Sequence, residues 1–163
     1  MRRASSLVAV LTLAALELAA SAPALARPGT NSPFPPATAA ERNQTRPLVS
    51  VALGALRDGD FGAICGVMSQ RWLTADFGSR DRCRRLAASH PTRPCKSCDY
   101  TVRQVAHFYR TAADRRLKLR TVVWLFTVEG DPQFKGQSEL DLNFRKERGR
   151  WRLDNMTLAG SGR

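Results

Sequence analysis

Residues 117 to 128 read LKLRTVVWLFTV, a run of β-branched and aromatic side chains that suits a strand better than a helix. Leu119, Val123 and Leu125 fall on one face of such a strand and Val122, Trp124, Phe126 and Val128 on the other, so both faces ask for cover. Turn-forming residues bound the run, Ala112 to Arg115 before it and Glu129-Gly130-Asp131-Pro132 after it. Outward from this strand the period of two continues. Upstream, Tyr100, Val102, Ala106 and Phe108 alternate with Arg103 and His107. Downstream, Leu140, Leu142 and Phe144 alternate with Glu139, Asp141 and Asn143. After the turn Glu147-Arg148-Gly149, Trp151 and Leu153 alternate with Arg152 and Asp154. Four strands with short turns predict an antiparallel meander.

Before Cys98 the period is 3.6. Leu48, Val51, Ala52, Ala55 and Leu56 make one stripe of a helix that ends at Asp58-Gly59. Asp60 is placed to cap a second helix whose stripe is Phe61, Ile64, Cys65, Met68 and Trp72. A third runs from Ser79, with Cys83, Leu86, Ala87 and His90 on one side, and stops at Pro91. Three N-terminal helices followed by a meander give an α+β domain, helices gathered on one face of a four-stranded antiparallel sheet. The second, outer face is then open to another copy of the chain, and a homodimer through it is one expectation.

The N-terminus bears on the cysteines. Met1-Arg2-Arg3, the apolar run Leu7 to Leu16 and the small residues Ala24-Leu25-Ala26 have the form of a secretory signal, cleaved after Ala26. The run is far shorter than the roughly 20 apolar residues of a membrane span, so no transmembrane segment is expected in the mature chain. Residues 27 to 46, with four prolines, read as a flexible leader; the domain is expected over 47 to 158, and 159 to 163 as a disordered tail. A secreted or periplasmic location favours disulfides for Cys65, Cys83, Cys95 and Cys98. Cys65 and Cys83 lie on the inward stripes of consecutive helices, where a cross-helix bridge would form. Only Cys95 and Cys98 are close in sequence, which speaks against zinc, and no helix follows them to make a thioredoxin-like centre. Neither a metal nor a cofactor is expected. Connectivity stays open on sequence alone.

The charge is +12, with 26 basic and 14 acidic residues; removing residues 1 to 26 takes these to 24 and 13, a charge of +11 over 137 residues. That balance can attract nucleic acid or another polyanion. The arginines are nevertheless scattered, and the densest groups (Arg80, Arg82, Arg84, Arg85; Arg145, Lys146, Arg148, Arg150, Arg152) belong to a solvated helix face and a hairpin, so a polyanion-binding role is the weaker reading.

The phrase ALRDGDFGAICGVMSQRW at residues 55 to 72, the cysteine-bearing helix after it, the meander and the ending GRWRLDNM at 149 to 156 resemble the nuclear transport factor 2-like superfamily, in particular its small secreted bacterial members. The resemblance covers roughly residues 47 to 158. It implies a cone of helices packed into a curved sheet, a pocket at the open end and frequent dimerisation through the outer face. It also implies a bridge between neighbouring helices, Cys65 with Cys83, leaving Cys95 to Cys98; Cys65 or Cys83 reaching the loop cysteines is the alternative.

That cone hosts enzymes and binding modules alike, and the fold does not choose between them. Ketosteroid isomerase, scytalone dehydratase and the SnoaL-like cyclases need an acid or base with a hydrogen-bond donor inside an apolar pocket. His107, set with Arg103 and Tyr109 opposite the apolar alternation, and Asp141 are the weak catalytic candidates, and a solvent-facing or interface histidine is the commoner outcome. His90 suits a helix end, Asp60 a cap, and Asp141 and Asp154 point outward by alternation. Hydrolase elbows, zinc-protease motifs and nucleotide loops are missing from the sequence. The reading is a secreted, non-catalytic module that binds a small ligand or a protein partner; a pocket enzyme is the alternative.

Overall fold

The computed structural model describes residues 35–109, 115–116, 121–131 and 137–160. The expected signal segment at residues 1 to 26 and the start of the long strand at 117 to 120 lie outside the described residues. Helix α1 spans Ala39–Asp58, α2 Phe61–Val67, α3 Gln70–Trp72 and α4 Arg80–Ser89, with a π-helical turn Leu73–Phe77 between the last two. Strands β1 Asp99–Phe108, β2 Thr121–Glu129, β3 Ser138–Glu147 and β4 Arg150–Gly160 follow, paired antiparallel in the order β1-β2-β3-β4. The fold is α+β with a four-stranded meander, the layout the resemblance implies.

Helix α1 begins well before the expected domain start. Thr38 and Glu41 form a reciprocal capping box, and the helix runs through Pro47 to Gly59, so residues 39 to 46 are helix rather than leader. Pro47 lacks the N–H that the Asn43 carbonyl would accept, a local cost that flanking contacts outweigh. Those contacts are with the sheet. Trp124 Nε1 donates to Thr45 Oγ1 at 2.9 Å, and Trp151 Nε1 donates to Gln44 Oε1 at 2.9 Å. The buried stripe of α1 is therefore Glu41, Thr45, Val49, Ala52 and Ala55, while Val51, expected inside, is exposed. At the other end of the chain, β4 continues to Gly160, so residues 159 and 160 belong to a strand and not to a tail.

The expected second helix is split. Met68 leaves the helix with extended backbone and bridges Leu153 of β4, and the Ser69 N–H donates to the Leu153 carbonyl at 2.7 Å. Ser69 then caps α3 through its hydroxyl, which accepts from the Trp72 N–H at 3.0 Å. At the opposite edge of the sheet, Pro36 bridges Ala106, the Ala37 N–H donates to the Val105 carbonyl and the His107 N–H to the Pro35 carbonyl. Both edge strands are thus partly closed by chain that precedes or links the helices, which limits edge-to-edge pairing.

One core fills the space between helices and sheet. Val122, Trp124, Phe126 and Val128 of β2 meet Leu140, Leu142 and Phe144 of β3 and Leu153 of β4 beneath Ala52, Ile64, Met68 and Leu73. The opposite face of β2 is narrower in apolar content, because Val123 stands against Asn143 and Leu125 against Asp141.

The Cys65 and Cys83 sulfurs are bonded at 1.98 Å and those of Cys95 and Cys98 at 1.92 Å. The first pair ties α2 to α4 across 18 residues, the second closes a turn across 3. Loop-closure entropy then ranks them. Replacing Cys65 and Cys83 together by alanine is expected to lower stability by about 3 kcal/mol, and the same change at Cys95 and Cys98 by about 2 kcal/mol or less. Urea unfolding of the two double variants checks the order, and a larger loss at the short loop would contradict it.

Candidate ligand pocket

A cavity of about 360 Å³ opens on the helix-covered face of the sheet, at the end where α1 finishes. Its floor is made by register. Tyr100 stands opposite Val128 across β1 and β2, and Leu158 stands opposite Leu140 across β4 and β3, so Tyr100, Val128 and Leu158 all belong to the core-facing side. Leu56 of α1 closes one wall, and the loop Thr92, Arg93, Pro94 and Cys95 closes another, with Asp131 at the rim.

The loop is held firmly. The Cys95 N–H donates to the Leu56 carbonyl at 3.2 Å, Thr92 Oγ1 donates to the Gly59 carbonyl at 2.9 Å, and Ser97 Oγ donates to the Gly130 carbonyl at 3.1 Å. Two glycines permit this approach. A Cβ on Gly59 would lie 2.6 Å from the Thr92 carbonyl oxygen and one on Gly130 2.5 Å from that of Ser97, and both residues have left-handed backbone, φ 74° and 76°. The wall therefore does not depend on ligand to take its shape.

Tyr100 supplies the polar handle. Burial raises the phenol above its ordinary pKa, Asp131 adds to this, and the Arg57 guanidinium, 5.4 Å from the ring centroid, pulls the other way with the smaller effect. The hydroxyl stays protonated at neutral pH and is a donor, while Asp131 is an acceptor. Behind Val128, the Ser138 hydroxyl is fully buried and has no hydrogen-bond partner among the described residues. Asp131 also lies within 4.8 Å of both Cys95 and Cys98 sulfurs. Because those sulfurs are bonded to each other, neither is the thiolate a metal ion requires.

No protein-family model matches the chain, and no curated protein does. Among solved structures, a chain named Rd1NTF2_05 carrying five substitutions is similar, at 16% identity and a TM-score of 0.44, over 73% of this chain and 99% of that one.

The sequence candidates lie elsewhere. His107, expected on a solvent-facing or interface side, is buried, and its Nε2 is 2.6 Å from Glu41 Oε2 on α1. The cause is a β-bulge between Val102 and Gln104, which inserts one residue and exchanges the faces of everything after it. His107 pairs with Val122 and so shares the core face, whereas Asp141 pairs with Leu125 on the other. Both border a shallow depression of about 210 Å³ on the outer face, but the His107 ring is bonded on the core side. The two candidates are thus not brought together.

Asp154, expected outward, is buried as well. A second bulge places Asp154 between residues paired with Asn143 and Phe144, and its carboxylate turns to the helices. Oδ1 accepts from Ser69 Oγ at 2.7 Å and from Arg71 Nε at 3.0 Å, and Oδ2 accepts from Arg71 Nη2 at 2.5 Å. Burial alone would raise this carboxyl, yet the Arg71 and Ser69 hydrogen bonds and the positive charges of Arg71 and Arg145 hold it below the usual range. His90 sits at the α4 end with Nδ1 3.0 Å from Ser89 Oγ, a terminal role as expected.

Proposed function

We propose that the chain is an exported binding module that takes one small, largely apolar ligand between α1, the sheet and the disulfide-closed loop. The observation that carries this reading is the cavity itself: about 360 Å³, walled by Leu56, Val128 and Leu158, with the Tyr100 donor and the Asp131 acceptor at its polar side. This volume lies within the range of small-molecule sites, and an apolar wall with few polar groups is their common composition. A carbonyl or hydroxyl on the ligand would meet Tyr100, and the rest would replace water against the leucines. His107 and Asp141 have no part in the reading. Two disulfides suit an oxidising compartment, in keeping with the signal-like N-terminus. A second copy docking on the outer face, at the depression bordered by the half-buried Phe108, Leu125, Asp141 and Asn143, belongs to the same proposal.

The test is thermal unfolding of the full chain against a panel of small apolar compounds carrying one carbonyl or hydroxyl. A ligand at a hundred times its Kd should stabilise by about 2.7 kcal/mol. Leu158 is 38% exposed, so Leu158→Arg should fold yet remove that stabilisation by filling the mouth. Stabilisation that persists in Leu158→Arg, or none from any compound, would overturn the reading.

A further inference from the structure

A second cleft, of about 750 Å³, lies at the far end of the β3–β4 hairpin, lined by Gln70, Arg80, Glu147, Arg148, Arg150 and Arg152. Four arginines from three parts of the chain converge there: Arg80 from α4, Arg148 from the turn, Arg150 and Arg152 from β4. Among the described residues none of the four pairs with a carboxylate; the ion pairs there are Arg71–Asp154, Arg103–Glu139, His107–Glu41 and the longer Arg145–Asp154. The one acid in the wall is already engaged, since Glu147 accepts from the Gln70 N–H at 2.8 Å and from the Arg71 N–H at 3.5 Å. Four cations against one anion leave the wall with a formal +3.

Two of the guanidinium groups are held in place from behind. Arg80 Nε donates to the Cys65 carbonyl at 3.1 Å and Arg152 Nη1 to the Gly66 carbonyl at 3.4 Å, which orients each fork and leaves its other N–H groups for the cleft. Arg148 has φ 48°, the one non-glycine residue with left-handed backbone among the described residues. With Gly149 at φ 80° it forms the two-residue turn for which asparagine is a far better first residue. An arginine at a backbone position that disfavours it, beside three arginines without a carboxylate partner among the described residues, points to a use other than the turn.

We infer that this cleft is a binding site for a compact oxyanion of two or more charges, the phosphate groups of a small phosphorylated ligand. Planar guanidinium forks match tetrahedral oxyanions through paired hydrogen bonds, and four of them lining one cleft match the clustered charges of a compact phosphate group. The site is separate from the apolar pocket and stands or falls independently of it.

Calorimetric titration of the full chain with tripolyphosphate, at about 50 mM and about 150 mM salt, tests it. Saturable one-site binding that weakens with salt is expected. The pair Arg148→Asn with Arg150→Gln should weaken it at least about tenfold, because each charge-assisted hydrogen bond carries that much or more. The same two charges removed from the exposed α4 face outside the cleft lining, as Arg82→Gln with Arg85→Gln, should weaken it clearly less, since those side chains give the ligand no hydrogen bond and water screens their charge. Arg148→Asn alone should raise the melting temperature while lowering affinity, which also shows that the variant folds. No saturable binding at the lower salt, binding at many sites, or equal loss in the two double variants would overturn the assignment; equal loss would mark a response to net charge only.

Discussion

Replacing Arg71 by alanine is expected to cost about 3–5 kcal/mol of stability, more than replacing its partner Asp154. The two side chains differ in surroundings. Asp154 is 4% exposed and Arg71 44%, so removing Asp154 leaves a cation that water can reach, whereas removing Arg71 leaves a buried carboxylate with Ser69 and, at 4.0 Å, Arg145. Asp154→Ala should therefore cost less, about 2–3 kcal/mol, the value of lost hydrogen bonds to a charged group. The order also has a pH signature. In Arg71→Ala the carboxyl loses the guanidinium that holds it ionised, so acidification should recover part of the deficit as Asp154 takes up a proton. Urea unfolding at pH 7 and pH 4 distinguishes the cases, and a costlier Asp154→Ala would mean that the Asp154 carboxylate is not desolvated as its burial requires.

The layers of this fold are legible in the sequence because they rest on periodicity, which a residue's neighbours declare. The change from 3.6 to 2 near Cys98, the Asp60 and Ser79 caps and the Glu147-Arg148-Gly149 turn all lead to elements that form. What periodicity cannot carry is a change of parity. One extra residue near Arg103 turned His107 inward, and one at Asp154 turned that carboxylate toward Ser69. Neither bulge has a glycine or proline to mark it. The early start of α1 did have a signal, Thr38 three residues before Glu41, but four prolines upstream and Pro47 inside outweighed it. Likewise Ser69 is an N-cap residue in plain sight, hidden by an apolar stripe that continued on both sides.

The pocket was legible only as an implication of resemblance. Tyr100, Asp131 and the loop at Thr92 to Cys95 come from three separate parts of the chain and meet because Gly59 and Gly130 admit the loop backbone. Those glycines read correctly as turns. That a second segment would pack against each could not be inferred from turn chemistry.

The buried Glu41–His107 pair gives the other large effect, and it separates a structural latch from a catalytic dyad. Glu41 accepts from the Thr38 N–H at 3.0 Å and the Thr38 hydroxyl at 2.7 Å besides meeting His107 at 2.6 Å. Burial would raise its pKa, but the Thr38 hydrogen bonds, the His107 hydrogen bond and the imidazole charge bring it from 4.5 down to about 2. A carboxyl depressed in this way contributes stability above pH 4.5 that is lost as pH falls through about 2, here about 3 kcal/mol. Glu41→Gln should remove that portion of the acid sensitivity and leave the portion due to Asp154. Glu41→Ala and His107→Ala should each cost about 3–5 kcal/mol at pH 7, and the double variant less than their sum, because each single change leaves a buried polar partner behind. Neither should alter the affinity of a ligand held by Tyr100 and Leu158. A catalytic histidine would behave in the opposite way, losing turnover with the melting curve unchanged. An unchanged melting curve in His107→Ala would therefore show that the 2.6 Å contact is not what fastens α1 to β1.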